Sequence, residues 1–236
     1  MPSPQRDASL TASPSGIVRF QASFLVKDDT MHTKTLTALM LFFFLAITSD
    51  VAGQSPEPSA PHTSAEWQIW AYSTAAPTFI GMSATIVDAA SNVLRNGTNE
   101  WTCMPANPRG MANPAEGWAN AQEAMPICAD QEGLKWILAY VGGTTPQLTR
   151  DTYLWMLHGD MGEDNSTPLV MTRDDAEDPA NWIMSGPHLM LMPREPSSLD
   201  AFTTNFRIGS PYLMFGGTEY AHLMIPMEDY YQHQQP

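Results

Sequence analysis

The sequence predicts an α+β fold that is dominated by strands, with a mostly antiparallel sheet, one clear helix over 130–141 and one or two short helices. Two observations predict this class. Runs rich in β-branched and aromatic residues recur between glycine- and proline-containing turns, and one stretch spaces its apolar residues as a helix does. Because several of the runs are apolar at consecutive positions, we expect both faces of the sheet to be covered.

Residues 31–53 are typical of an export signal that starts at an internal methionine. A short basic start precedes the apolar stretch 36–47, and the small residues at 51–53 suit cleavage. The stretch is short for a membrane span, so we expect no stable span after cleavage and a periplasmic or secreted protein. Residues 1–30 are expected to be a non-native or disordered extension, whether translation starts at Met31 or the signal has an unusually long start.

The exported part is predicted to begin with a disordered or extended tether at 54–64, followed by a single globular domain at 65–232. In the domain, Asp130 can cap the main helix and Gly142-Gly143 can end it. A short helix is expected within 113–125, behind a proline. Strands are predicted at 82–88, 93–98, 101–104, 152–158, 181–184 and 188–192, and a hairpin at 212–215 and 221–227.

The chain is strongly acidic, with 11 Lys and Arg residues against 25 Asp and Glu residues and a net charge of −14. A nucleic-acid surface needs clustered cations, which this sequence lacks, and an anionic membrane surface would repel the chain. We therefore exclude nucleic acid as a partner and expect a small molecule or a metal ion.

Two cysteines are present, Cys103 and Cys128. In an oxidising compartment an isolated pair is most often a disulfide, and the segment between them is too rich in proline and glycine to form one regular element. We expect a Cys103–Cys128 disulfide, with a copper- or haem-binding thiolate as the alternative.

The candidate site comes from a short self-similarity. His188 and His222 are each followed two residues later by a methionine, Met190 and Met224, and positions two apart on a strand share a face. If the first strand of the hairpin lies between these two strands and pairs antiparallel with both, the two imidazoles meet at one end of the sheet. His158, at the end of another predicted strand, could then join them.

Imidazole and thioether ligands together favour copper, because thioether sulfur binds Cu(I) and is a poor ligand for zinc. The chain contains 16 methionines. Core packing is the competing interpretation, because methionine fills irregular cores well. We predict a non-catalytic exported binding protein with a copper site built from His158, His188, His222, Met190 and Met224.

Two alternatives stay open. A small hydrolase or lyase would use His158 with Asp160, or His222 with Glu219, as base and orienter, although no nucleophile motif accompanies these pairs. A sugar- or small-ligand-binding domain would stack flat aromatic rings on its ligand. The tryptophans that prompt this idea are scattered through the predicted elements, and we interpret most of them as core residues, namely Trp101, Trp118, Trp136, Trp155 and Trp182.

The long loop at 159–179 is acidic. Asp160, Glu163, Asp164 and Asn165 offer oxygen ligands for Ca²⁺, but their spacing is not that of an EF-hand loop. We therefore interpret this segment as a solvated loop.

Five short elements are spread over about 80–227, namely Trp101-Thr102-Cys103, Pro126-Ile127-Cys128-Ala129-Asp130, His158-Gly159-Asp160, Gly186-Pro187-His188 and Tyr220-Ala221-His222-Leu223-Met224. Together they resemble a group of exported bacterial proteins. The resemblance implies a bacterial periplasmic or secreted origin, and it supplies no activity, cofactor or catalytic residue.

Overall fold

An eight-stranded sheet positions most of the candidate site residues. The computed structural model of the protein describes residues 56–234, so the predicted extension at 1–30, the export signal at 31–53 and the first two residues of the tether lie outside the described residues. Within 56–234, no helix is both long and apolar enough to cross a membrane.

The α+β class is confirmed, because the described residues combine four α-helices with ten strands that form mostly antiparallel pairs. The helices are α1 (Ala65–Ser73), α2 (Thr78–Gly81), α3 (Ala121–Ala124) and α4 (Gln131–Gly142). The strands are β1 (Thr85–Val87), β2 (Val93–Arg95), β3 (Thr102–Pro105), β4 (Pro126–Ala129), β5 (Thr152–Met156), β6 (Glu163–Asp164), β7 (Trp182–Ile183), β8 (His188–Met192), β9 (Tyr212–Met214) and β10 (His222–Pro226).

The large sheet has the strand order β2-β1-β3-β4-β5-β8-β10-β9, and β6 pairs with β7 in a separate ribbon. Within the large sheet, only the β1–β3 pair is parallel. The predicted hairpin is confirmed, because β9 and β10 are antiparallel neighbours with His222 opposite Met214.

Helix α4 begins and ends as the sequence predicts. The Asp130 side chain accepts a hydrogen bond of 2.8 Å from the Gly133 amide, which satisfies one free donor of the first turn. Gly143 follows the last turn with a φ of 60°, a left-handed conformation that glycine adopts without strain.

Helix α3 is shorter than predicted and does not start behind the proline at 114. Gly117, with a φ of 85°, turns the chain back toward Asn113, and the helix begins only after Asn120 caps the Glu123 amide. A short helix within 113–125 is confirmed, but its predicted start was wrong because this turn interrupts the alanine-rich stretch.

Helix α1 was not predicted. Its own apolar residues are distributed around the whole helix and not along one face, so the sequence shows no helical period. Ser64 caps its first turn by accepting a hydrogen bond from the Trp67 amide. The preceding residues, expected to form an extended tether, pack against this helix. Glu57 accepts a hydrogen bond from the Trp67 indole at 2.8 Å, and the His62 ring stacks on the same indole at 4.3 Å.

The two faces of the sheet bury different residues, as expected for a sheet covered on both sides. One face, called the His–Met face below, packs against α4 and carries Ile127, Ala129, Leu154, Met156, His188, Met190, Met192, Met214, His222 and Met224. The opposite face, called the disulfide face below, packs against α1 and carries Ile86, Cys103, Cys128 and Trp155.

The predicted disulfide is confirmed. Cys103 on β3 lies directly opposite Cys128 on β4, with their Cα atoms 4.0 Å apart, and both residues are fully buried. The bond closes a loop with a sequence separation of 25 residues, which stabilises the fold by about 3–4 kcal/mol in the chain-entropy model.

Candidate functional site

The predicted arrangement of the two His-x-Met strands is wrong. β8 and β10 are direct antiparallel neighbours, whereas β9 pairs with β10 from the outer edge. His188 therefore lies opposite Pro226, at the other end of β10 from His222. Since a strand rises about 3.4 Å per residue, the backbones of the two histidines are about 14 Å apart along the strands, and strand side chains stand roughly perpendicular to the sheet. At the backbone this exceeds the span of one metal site, although the charge of His188 still contributes to the lowered pKa of His222.

His158 does not join either of them. Strand β5 ends at Met156, and the turn that follows brings His158 to the disulfide face. Its Nε2 lies 2.7 Å from the Thr74 hydroxyl, and its ring lies 5.8 Å from that of Trp70 on α1. The expected convergence of three imidazoles is therefore wrong, because the strand does not persist through position 158.

Neither of the predicted histidine–carboxylate pairs forms. Among the described residues, no ion pair joins His158 to Asp160 or His222 to Glu219. The Glu219 carboxylate instead accepts a hydrogen bond from the Thr145 hydroxyl, on the exposed surface. These two pairs therefore cannot act as base and orienter in this arrangement.

The register does bring each buried histidine next to two methionines. His188 lies opposite Met156 on β5 and two residues from Met190 on its own strand. Directly opposite side chains in a sheet have Cβ atoms about 5 Å apart, and positions two apart on one strand share a face about 7 Å apart. These three residues are called the His188 triad.

The His222 triad has the same composition. His222 lies opposite Met214 on β9 and two residues from Met224 on β10. Met224 in turn lies opposite Met190, so the two triads adjoin across the β8–β10 pair. The six side chains of the two triads are each between 1 % and 6 % exposed.

Both triad imidazoles are neutral and share one tautomer. His188 Nδ1 lies 2.7 Å from the Gly186 carbonyl oxygen, and His222 Nδ1 lies 3.0 Å from that of Tyr220. A carbonyl oxygen only accepts, so each Nδ1 carries the proton and each Nε2 presents a lone pair. Within the described part of the chain, no hydrogen bond reaches either Nε2. Burial lowers the pKa of both rings from 6.5 to about 4, because it disfavours the charged form.

The surroundings of the two triads differ. The His222 ring lies edge-on to Trp136 and Phe215, with centroids 5.4 Å away in each case. The His188 ring lies 6.1 Å from that of Tyr230, whose hydroxyl belongs to a hydrogen-bonded network. One triad is therefore enclosed by aromatic rings and the other borders buried polar groups.

That network ends at a buried carboxylate. Tyr212 and Tyr230 share a short hydrogen bond between hydroxyls, and the Tyr230 hydroxyl donates to Ser185 Oγ at 3.1 Å. The Asp160 carboxylate accepts from the Ser185 and Gly162 amides at 2.9 Å each and from the Ser185 side chain. Burial raises the pKa of Asp160 to about 6, and these donors and the charge of a nearby arginine limit the rise.

The interpretation of the acidic segment as solvated is wrong for three of its residues. Asp160, Asp164 and Asn165 are 2 %, 0 % and 5 % exposed. The pairing of β6 with β7 carries Asp164 into the interior, and Asp160 is bonded to the main chain of Ser185. Glu163 is half-buried, and burial together with the charge of Asp160 raises its pKa to about 8.

The tryptophans serve mainly as packing residues. Trp118 and Trp136 are 3 % and 7 % exposed, and Trp101, Trp155 and Trp182 are half-buried. A shallow groove of about 420 Å³ borders Trp118 and is otherwise lined largely by prolines and small residues. It presents no stack of open rings for a sugar.

Sequence reasoning missed Met156 and Met214 as neighbours of the two histidines, because a cross-strand pair depends on register. Among residues 56–234, no three His, Cys, Asp or Glu side chains are grouped so that they could hold a metal ion. Each triad instead groups one imidazole with two thioethers. Comparison with known proteins found no matching family model, curated protein or solved structure for this chain.

Proposed function

We propose that the protein is an exported, non-catalytic binding protein for a soft metal ion, Cu(I), which the His188 and His222 triads each bind. The observation that carries the proposal is a pair of buried histidines whose Nε2 atoms accept no hydrogen bond within residues 56–234, each beside two methionines. Export rests on the predicted signal at 31–53.

The ligand chemistry of the triads fits Cu(I). Thioether sulfur selects Cu(I), and imidazole also binds copper. Each Nδ1–H donates to a main-chain carbonyl, and this second hydrogen bond is what usually fixes the orientation of a metal-binding imidazole. Because both rings are already neutral at pH 7, binding does not have to displace a proton.

Burial favours binding over catalysis. His188 and His222 are 1 % and 2 % exposed, so a substrate larger than an ion has no route to them. The third predicted histidine, His158, is hydrogen-bonded to the Thr74 hydroxyl. Neither histidine–carboxylate pair of the enzymatic alternative forms an ion pair in the described residues. The same burial predicts slow loading of the folded protein and fast loading when the protein folds in the presence of the metal.

The test is a competition titration of the full chain, refolded with Ag(I) or with Cu(I) and ascorbate, against a chromophoric Cu(I) chelator. We expect two ions per chain. Met190→Leu combined with Met224→Leu removes one thioether from each triad at nearly constant volume, and affinity should fall about tenfold or more.

Met104→Leu is the matched control. Met104 lies on β3, three strands away from β8, and packs against the same core. The proposal is wrong if the unchanged protein binds neither ion, or if Met104→Leu lowers affinity as much as the double variant.

A further inference from the structure

Two buried oxygen atoms in the acidic segment lack partners. Asp164 Oδ2 and Asn165 Oδ1 make no hydrogen bond within the described residues, although the two residues are 0 % and 5 % exposed. Native proteins rarely leave such atoms unpaired, so each requires an explanation. The two atoms belong to adjacent residues, at the end of β6.

Both atoms are acceptors, and their neighbours fix their identity. Asn165 Nδ2 donates to the Thr204 carbonyl at 3.0 Å, which leaves the amide oxygen as the unpaired atom. The other Asp164 oxygen, Oδ1, already accepts from the Ser166 amide and hydroxyl and from the Thr167 amide, at 2.6–2.9 Å. A cation or a strong donor is therefore the missing partner.

Acidic groups cluster around the two atoms. The half-buried Glu163 precedes the two residues, and its raised pKa reflects burial first and then the nearby charges of Asp160 and Asp164. Arg109 opposes this effect, but its guanidinium donates to main-chain carbonyls and to a methionine sulfur and forms no ion pair with these carboxylates. The charges of Asp160 and Asp164 would thus stabilise a cation at this position.

We infer that residues 163–165 bind a hard divalent cation, Ca²⁺, through Asp164 Oδ2 and Asn165 Oδ1, with Glu163 at the edge of the site. Ca²⁺ accepts carboxylate, amide, main-chain and water oxygens in flexible geometry, so it does not need three carboxylates. Mg²⁺ requires near-ideal octahedral geometry and keeps several waters, which suits a buried pair of oxygens less well. The inference is independent of the Cu(I) proposal.

The first experiment measures thermal unfolding of the chelator-treated full chain with CaCl₂, MgCl₂, or NaCl of equal ionic strength. Ca²⁺ at about a hundredfold above its Kd should raise Tm by roughly 5–10 °C, and the other two salts should raise it less. Tb³⁺ should give sensitised luminescence on excitation of tryptophan, because Trp182 lies opposite Asp164, and Ca²⁺ should displace it.

Asp164→Asn should abolish the Ca²⁺-induced rise in Tm. Asp174→Asn is the control, because it removes the same charge from an exposed turn. The inference is overturned if the unchanged protein shows neither the rise nor Tb³⁺ luminescence, if Asp164→Asn keeps the full rise, or if Asp174→Asn loses it. If Asp164→Asn does not fold, the Tb³⁺ luminescence and the Ca²⁺-induced change in Tm of the unchanged protein still test whether the cation binds.

Discussion

The two faces of the central sheet contain histidines with the same shifted pKa but different surroundings. Burial lowers the pKa of His158 on the disulfide face, and of His188 and His222 on the His–Met face, to about 4 in each case. On the disulfide face, the Nε2 atom of His158 is hydrogen-bonded to the Thr74 hydroxyl. On the His–Met face, both Nε2 atoms remain unbonded beside thioethers. The shifted pKa is therefore the same on both faces, and what distinguishes the histidines is the bonding of the second ring nitrogen.

The largest expected effect is on the disulfide face. Replacing both cysteines, Cys103→Ala with Cys128→Ala, removes the buried cross-strand link between β3 and β4. We expect the free energy of unfolding to fall by about 3–4 kcal/mol, measured by urea denaturation. Cu(I) binding by the folded fraction should be unchanged, and a loss of binding would show that the two faces are not separable.

The next effect concerns acid stability. The folded-state pKa of His222, about 4, lies below the ordinary 6.5, so the unfolded chain takes up this proton first as pH falls. The stability contributed by the neutral ring is complete above about pH 6.5 and is lost as pH falls toward 4, by about 2 kcal/mol between pH 6.5 and pH 5.

His222→Leu should therefore lose about 2 kcal/mol less stability than the unchanged protein between these pH values, measured by urea denaturation at each pH. The raised pKa values of Asp160 and Glu163 have the opposite effect, because these groups stabilise the folded protein more as pH falls. Their contribution is the same in the variant and in the unchanged protein, so it cancels when the two pH profiles are compared. His158→Leu should flatten the profile too, but only His222→Leu should also weaken metal binding. Equal losses of binding would contradict the distinction between the faces.

A smaller effect is expected from breaking the hydroxyl–imidazole bond on the disulfide face. Thr74→Val keeps the side-chain shape and removes the hydroxyl that bonds His158 and the Trp70 carbonyl. We expect a loss of about 1–2 kcal/mol in the free energy of unfolding. Thr74→Ser retains the hydroxyl and serves as the control, and a similar loss in both variants would show that the hydrogen bonds are not the cause.

The smallest effect should come from the thioethers in the absence of metal. Met190→Leu and Met224→Leu conserve volume on the His–Met face, so each should change metal-free stability by less than about 1.5 kcal/mol in thermal unfolding. Larger losses would mean that these methionines are needed for packing and not as ligands.

The sequence was sufficient for features that depend on local chemistry. Asp130 and Gly143 mark the ends of α4, and an isolated cysteine pair indicates a disulfide, because caps and oxidised pairs need only nearby residues. Helix α1 was not predicted, because a helix with apolar residues on all sides shows no hydrophobic period in its sequence.

The candidate site was only partly predictable, because it depends on long-range pairing. The His-x-Met repeats were found from alternation along a strand, yet Met156 and Met214 became neighbours of the histidines only through the order β5-β8-β10-β9. The burial of Asp164 and Asn165 could not be predicted for the same reason. It depends on the pairing of the two-residue strand β6 with β7, which brings a polar segment into the interior.

The most direct test of the central claim is X-ray absorption spectroscopy at the copper edge of the protein refolded with Cu(I). If the triads bind the ion, the spectrum should show about one nitrogen and two sulfur neighbours per copper, and the sulfur contribution should fall in the Met190→Leu, Met224→Leu double variant. Copper surrounded by oxygen or nitrogen alone, or no retained copper after gel filtration, would contradict the account.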